Sequence, residues 1–356
     1  MTLAASLAAS CSSPNPSSTS APASAPAAPQ PQVHIIVTDE TGGRLAIIDA
    51  ATGNVIDTIA VGKRPRGVRA LKDGSHVLVA LSGSPIGGPG VDESKLPPPD
   101  KDADGIGVVD LATRKVVRTI QSGSDPEAFA LSPDEQTLYV SNEDDAAMSI
   151  VDVTKGSVRG QVKACEEPEG VTVRPGGNEV YMTCEGSNAV VVIDTQKSEA
   201  VTQIKTGPRP RSISFTPDGA TVFITNENGA SITVADANTH QVIDTITLPP
   251  NTSTAADAMP PRPMGQVFAP DGKTLYVSLG RRKAVVAIDV ATRKPQRVFE
   301  DVGPRPWGIA ISPDGKTLYT ANGSSGDVSF LDIASGKVEK RVKVGGSPWG
   351  VVVIAK

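Results

Sequence analysis

The sequence predicts an all-β fold, a seven-bladed β-propeller of four-stranded antiparallel blades whose closing blade is shared by the two ends of the chain. Three observations predict it. Two different markers each recur seven times, both report the same two insertions, and the strand missing at one terminus is supplied at the other.

The first marker is an apolar run closing on an aspartate: LAIID at Asp49, IGVVD at Asp110, MSIVD at Asp152, VVVID at Asp194, ITVAD at Asp236, VVAID at Asp289 and VSFLD at Asp332. Successive spacings are 61, 42, 42, 42, 53 and 43. The second is a proline followed two places on by a small residue, at Pro65, Pro126, Pro168, Pro210, Pro263, Pro306 and Pro348, spaced 61, 42, 42, 53, 43 and 42. Chance recurrence of a loose pattern would not place both insertions at the same points.

Within one period, residues 124–161, the β-rich segments EAFAL, TLYVSN, MSIVDV and SVRGQV are separated by the turns SPDEQ, NEDDA and VTKGS. Four antiparallel strands in about 42 residues make one propeller blade. The apolar third strand is expected between neighbouring blades and the charged fourth strand at the solvent. HIIVT, at residues 34–38, has no proline-marked inner strand before it, and SPWGVVVIAK supplies one with nothing after it. Residues 350–354 are therefore expected innermost in a blade whose other three strands come from residues 34–60.

Composition agrees. A chain of 356 residues with 38 % hydrophobic residues can bury a large core, and frequent Gly (34) and Pro (30) favour short strands joined by turns. The net charge of -5, with both signs dispersed, offers no basic block to follow a phosphate backbone, which argues against nucleic acid as a partner. No apolar run approaches the ~20 residues of a membrane span. Residues 33–356 form the predicted propeller. Residues 12–32, almost entirely Ser, Ala, Pro and Gln, read as a disordered tether. Residues 1–11 end in Leu7-Ala8-Ala9-Ser10-Cys11, which resembles a bacterial lipobox and makes Cys11 a candidate for lipidation. It departs from that pattern in having Ala8 where Leu is usual and no Lys or Arg before Arg44. An arbitrary Ala/Ser-rich terminus is the competing reading; the first places the protein in the periplasm or cell envelope.

The segments TLYVSNEDD, EVYMTCEGS, TVFITNENG and TLYTANGSS resemble the repeats of YVTN-family β-propellers over residues 33–356. More narrowly, RPRG, DPEAFALSPD, EPEG, RPRSISF and SPWGVVV are similar to propeller proteins associated with PQQ-dependent alcohol catabolism. That resemblance implies an exported accessory of a periplasmic dehydrogenase. The chain departs from the narrower group in its insertion after Leu81 and in Cys165 and Cys184.

In YVTN propellers the residues after the marker proline ring one channel mouth. Here they are Arg66, Glu127, Glu169, Arg211, Met264, Trp307 and Trp349, and the residues before the proline are Arg64, Asp125, Glu167, Arg209, Arg262, Arg305 and Ser347. A basic arc holding two tryptophans faces an acidic arc. Arg offers a planar fork to carboxylates and Trp a face to cations or apolar rings, which suits a small anionic ligand or the acidic tip of a periplasmic protein. The alternative is a ring of Arg–Glu pairs that satisfy one another across blades.

Other candidates are weaker. Asp100, Asp102 and Asp104 in the insertion at residues 82–104 alternate before Gly105 as in a calcium loop, but the twelfth position is Leu111 instead of Glu, so a solvated acidic loop competes with a calcium site and no other cofactor is expected. Cys165 and Cys184 replace the Gly and Asn of other repeats at neighbouring points of one hairpin, where an oxidising compartment would join them; two buried thiols are the alternative. His34, His76 and His240 have no Ser or Cys placed beside them, and no catalytic centre is recognisable. The expectation is thus a binding propeller, possessing no evident enzymatic site, with a sugar lactonase on the same fold as the alternative. Two insertions, after Leu81 and after Leu248, are expected on the face that carries the charged ring.

Overall fold

The structure is a computed structural model that describes residues 1, 2, 4, 32–87, 92–250 and 260–355. The chain divides into two units, residues 1–31 and 32–356. Cys11 and the tether at residues 12–31 lie outside the described residues.

Residues 32–355 form a seven-bladed propeller. The first blade takes β1 (Val33–Asp39), β2 (Arg44–Asp49) and β3 (Val55–Ala60). The second is β4 (Val68–Ala70), β5 (His76–Leu81), β6 (Gly105–Asp110) and β7 (Lys115–Ile120), and the third is β8 (Pro126–Leu131), β9 (Thr137–Asn142), β10 (Ala147–Asp152) and β11 (Ser157–Lys163). The fourth comprises β12 (Pro168–Val173), β13 (Glu179–Cys184), β14 (Ala189–Asp194) and β15 (Glu199–Lys205). The fifth follows with β16 (Pro210–Phe215), β17 (Thr221–Asn226), β18 (Ser231–Asp236) and β19 (Val242–Thr247). The sixth has β20 (Pro263–Phe268), β21 (Thr274–Leu279), β22 (Ala284–Asp289) and β23 (Lys294–Phe299). The seventh has β24 (Pro306–Ile311), β25 (Thr317–Asn322), β26 (Asp327–Asp332) and β27 (Val338–Lys343), and β28 (Pro348–Ala355) returns to the first. There it pairs antiparallel with β1 from Val33↔Ala355 to Val37↔Val351, closing the ring as the order β28-β1-β2-β3.

Each marker has a physical cause. The aspartate ending every third strand accepts the backbone N–H three residues on at 2.7–2.9 Å, from Asp49 through Asp332, and so builds the turn into the fourth strand. The marker prolines open six of the seven inner strands, where no ladder donor is needed; β4 alone starts later, at Val68. The small residue two places on answers to close approach between blades. A Cβ on Gly170 would lie 2.1 Å from the Arg211 carbonyl oxygen, and one on Gly308 would lie 2.6 Å from that of Trp349. The Ser or Thr near the end of the second strand bonds that same kind of carbonyl in the next blade: Thr38 to Arg66, Ser141 to Glu169, Thr183 to Arg211, Thr225 to Met264 and Ser278 to Trp307, at 2.5–3.2 Å.

Burial follows the strand order. The third strands are buried up to their half-buried closing aspartate, as in Ala189–Asp194, whereas outer strands such as Glu199–Lys205 are mostly exposed. Apolar clusters join adjacent blades, as where Met148 and Ile150 of β10 pack with Val180, Met182 and Val191 of the fourth blade. Such inter-blade burial, at roughly 25 cal/mol per Å² of apolar area, holds the ring together.

Candidate active site at one channel mouth

The residue before the marker proline adopts a left-handed conformation in six blades, with φ of 40° at Arg64, 53° at Asp125, 51° at Glu167, 58° at Arg209, 51° at Arg262 and 57° at Arg305. Side chains rarely take this backbone, least of all before proline, and strain of this kind gathers at functional rims. Its carbonyl is clamped by the first N–H after the second strand: Glu143 to Asp125 at 3.0 Å, Glu185 to Glu167 at 3.0 Å, Glu227 to Arg209 at 2.8 Å. A register shift then follows the proline, as between Pro168↔Cys184 and Val171↔Met182. The bulge frees Glu169 and its equivalents from the ladder and aims them into the mouth.

Two arginines organise the ring. Arg66, buried, binds Asp125 at 2.5 Å and also Glu127. Arg211 reaches Glu169 at 2.6 Å, Glu185 at 2.5 Å and Glu227 at 2.8 Å. Around them Arg209 pairs with Glu185 at 2.7 Å and Arg262 with Glu227 at 3.2 Å. Arg64 approaches Glu40 at 3.4 Å and donates to the Ser84 carbonyl at 2.8 Å. Much of the ring is thus self-paired across blades. Arg305 differs: it has no ion pair among the described residues, is exposed, and lies 4.7 Å over the Trp307 ring. Trp307 stacks on Trp349 at 5.8 Å with a 22° interplanar angle, and Arg211 is 5.4 Å from the Trp307 centroid.

Glu40, Glu143, Glu185 and Glu227 were not among the residues expected from sequence. They occupy one repeat position, directly after the second strand, and the same blade-by-blade comparison that picks out Arg66 and Arg211 would have found them.

Protonation divides the carboxyls. Burial, reinforced by Glu169, pushes Glu185 up to about 8 against the pull of Arg211 and Arg209. Burial also raises Glu127, opposed by Arg66, and raises Glu143, which shares a hydrogen bond with Glu127. Glu227 is buried as well, yet Arg211, Arg209 and Arg262 together hold it below the usual carboxylate range. Both Arg66 and Arg211 lose solvent but are held above the ordinary arginine range by the acids around them.

The mouth opens into a central cavity of about 180 Å³, lined among others by Glu169, Arg211, Met264, Trp307 and Trp349. The carboxylate oxygens of Asp125, Glu127 and Glu143 come within 4.8 Å of one another and could hold a metal ion only in competition with Arg66. Asp100, Asp102 and Asp104 do not converge. Asp100 pairs with Lys63 at 2.6 Å, Asp102 is exposed, and Asp104 is buried, accepting the Gly83 N–H at 2.7 Å and the Asp125 N–H at 3.1 Å. Those contacts seat the described part of the first insertion on the rim beside Arg64 and Asp125. In the second insertion, residues 251–259 lie outside the described residues; the Pro249 carbonyl accepts from Arg282 at 2.7 Å. Cys165 and Cys184 form a disulfide with Cα atoms 5.8 Å apart. His76 and His240 sit away from the ring, against Asp110 at 3.5 Å and Glu179 at 3.0 Å.

Comparison with known proteins bears on the activity. The family model described as "Lactonase, 7-bladed beta-propeller" matches residues 157–353, and that of the choice-of-anchor I domain matches residues 23–205. No curated protein matches the chain. Solved structures similar to it include the Pseudomonas aeruginosa periplasmic gluconolactonase PpgL, with 20 % identity and a TM-score of 0.71 over 91 % of this chain and 99 % of that one. A putative 6-phosphogluconolactonase from Bacteroides uniformis is similar at 16 % identity and a TM-score of 0.71 over 91 % and 99 %. The Kuenenia stuttgartiensis hydrazine synthase is similar at 21 % identity and 0.64 over 82 % and 95 %. At these identities the structural likeness establishes the fold alone. The lactonase family match corrects the expectation of a ligand- or partner-binding propeller accessory to PQQ-dependent alcohol oxidation, and favours the lactonase alternative. That expectation failed because a propeller scaffold carries many activities, so the YVTN repeat specifies architecture and leaves the chemistry open. With the lactonase model covering residues 157–353, the chain belongs to the family of seven-bladed β-propeller lactonases.

Proposed function

We propose that this protein is a sugar-lactonase-type hydrolase acting at the channel mouth described above. The observation that carries the reading is the pair Glu169 and Arg211, 2.6 Å apart and both lining the central cavity beside the stacked Trp307 and Trp349. The lactonase family match and the likeness to propellers named as gluconolactonase and 6-phosphogluconolactonase support it.

The chemistry asks for little. Water adds to the lactone carbonyl, Glu169 takes a proton from that water, and the carbonyl oxygen becomes an oxyanion. Arg211 donates to the oxyanion, an interaction stronger in the transition state than in the ester. Collapse breaks the ring C–O bond, and the leaving alkoxide receives the proton back, giving a hydroxy acid that releases one proton at neutral pH. Glu185, kept protonated to about pH 8 by burial, leaves Arg211 less neutralised than three ionised acids would. The tryptophan face packs the apolar side of the sugar ring. Arg305, with no ion pair among the described residues, favours a lactone carrying an anionic group.

The choice-of-anchor I match and the likeness to a periplasmic gluconolactonase support an exported protein, which cell fractionation would test. The activity is tested by proton release from a panel of neutral and phosphorylated sugar lactones, with spontaneous hydrolysis subtracted and with chelator present and absent. Turnover above background that Arg211→Met lowers by about 10²–10³-fold is the expected result. A purified, folded protein that accelerates no member of the panel refutes the reading.

A further inference from the structure

Beyond the mouth, the channel wall carries an arginine that the site does not use. The fourth residue after the marker proline is Arg69 in the second blade and Ala130, Thr172, Ser214, Val267, Ala310 and Val352 in the others. Six small or apolar residues and one arginine at an equivalent place mean that the fold does not require a charge there. Arg69 lies three residues beyond Arg66, roughly 10 Å deeper at the ~3.3 Å rise of a strand.

Its surroundings leave the charge uncompensated. Arg69 lines the mouth cavity and also the cavity at the opposite end of the channel, which share it with Val171 and Thr172, so it stands between the two openings. Nη1 donates to the Val68 carbonyl at 3.1 Å, and no carboxylate pairs with the guanidinium among the described residues. The side chain keeps contact with solvent in the lumen, yet the surrounding protein wall holds it below the usual arginine range. Arginine stays protonated in proteins and offers five donors and no acceptor, so the charge persists and seeks an anion. Every other arginine on this rim except Arg305 has an acid beside it, which makes Arg69 a second, separate anion-seeking group inside the channel.

We propose that Arg69 is the core of an internal anion site that takes a small oxyanion, phosphate or carboxylate, in the guanidinium fork midway along the channel. Two parallel N–H···O bonds to such a group would match the geometry of the fork. The site is independent of lactone turnover, and its test does not read activity.

The test is thermal unfolding of the full chain in phosphate, and separately in acetate, against sodium chloride at equal ionic strength. Three proteins are compared: wild type, Arg69→Val, which installs the residue of two other blades, and Arg305→Gln, which removes the unpaired arginine of the mouth. Wild type and Arg305→Gln should gain at least about 3 °C in one of the two oxyanions, as binding to the folded state requires. Arg69→Val should gain nothing, while melting at or above wild type in chloride because an uncompensated charge has been removed. Should Arg69→Val fail to fold, Arg69→Gln takes its place. Equal gains in wild type and the Arg69 variant, no gain in wild type, or loss of the gain in Arg305→Gln alone would each overturn the proposal.

Discussion

Arg211 on β16 holds the Glu169 carboxylate of the neighbouring β12 at 2.6 Å, a bond between two blades at the floor of the mouth. The same guanidinium binds Glu185 and Glu227, so one side chain ties three acids from the fourth and fifth blades. Replacing it removes both a transition-state donor and the cation these acids share. Arg211→Met should lower kcat on a turned-over lactone by about 10²–10³-fold, the usual cost of an oxyanion donor. It should also destabilise the fold by about 3–5 kcal/mol, the usual cost of breaking a buried pair. Urea unfolding and steady-state kinetics check the two effects separately.

Glu185 should make stability depend on pH in the neutral range. Its folded value is about 8, raised from 4.5, so the native state keeps a proton that the unfolded chain has released. This group's contribution therefore falls as pH rises from about 4.5 to about 8 and levels off above. Glu185→Gln cannot ionise and should flatten the decline in Tm across that window. Parallel wild-type and variant profiles would show that Glu185 is not the group.

Trp349→Ala should raise KM for a sugar lactone roughly threefold to tenfold with kcat nearly unchanged, because stacking of this kind contributes about 0.5–1.5 kcal/mol and holds the ring without touching the reacting atoms. A drop confined to kcat would instead place the tryptophan pair at the chemistry.

The Cys165–Cys184 bridge closes a loop with a sequence separation of 19. Reduction, or the double change to Ser, should cost about 2–4 kcal/mol, the range for constraining an unfolded chain by such a loop. Thermal unfolding with and without dithiothreitol gives the measurement; an unchanged Tm contradicts it.

Removing residues 350–356 takes away most of the strand that pairs with β1 and leaves an unpaired edge on the first blade. The truncated protein should lose its soluble monomer peak in size-exclusion chromatography, whereas a monomer of normal Tm would mean that β28 is dispensable.

The repeat by itself determined the architecture. Blade number, both insertions and the shared closing blade follow from two markers that are local in sequence, an aspartate that makes a turn and a proline before a crowded small residue, and local causes leave local signatures. The residues flanking each marker proline were legible for the same reason, as divergent positions in a fixed repeat, whereas Glu40, Glu143, Glu185 and Glu227 were missed because the comparison stopped at the prolines. Tertiary structure decided which of them are satisfied. Arg66 meets Asp125 and Glu127, and Arg211 meets Glu169, Glu185 and Glu227, because the ring brings successive blades edge to edge and the bulge after each proline turns the side chains inward. Arg305, which reads in sequence like the other arginines beside the marker prolines, and Arg69, deeper in the channel, make no ion pair among the described residues. Charge pairing depends on distances of a few ångströms between segments dozens of residues apart, and no pattern along the chain encodes those distances.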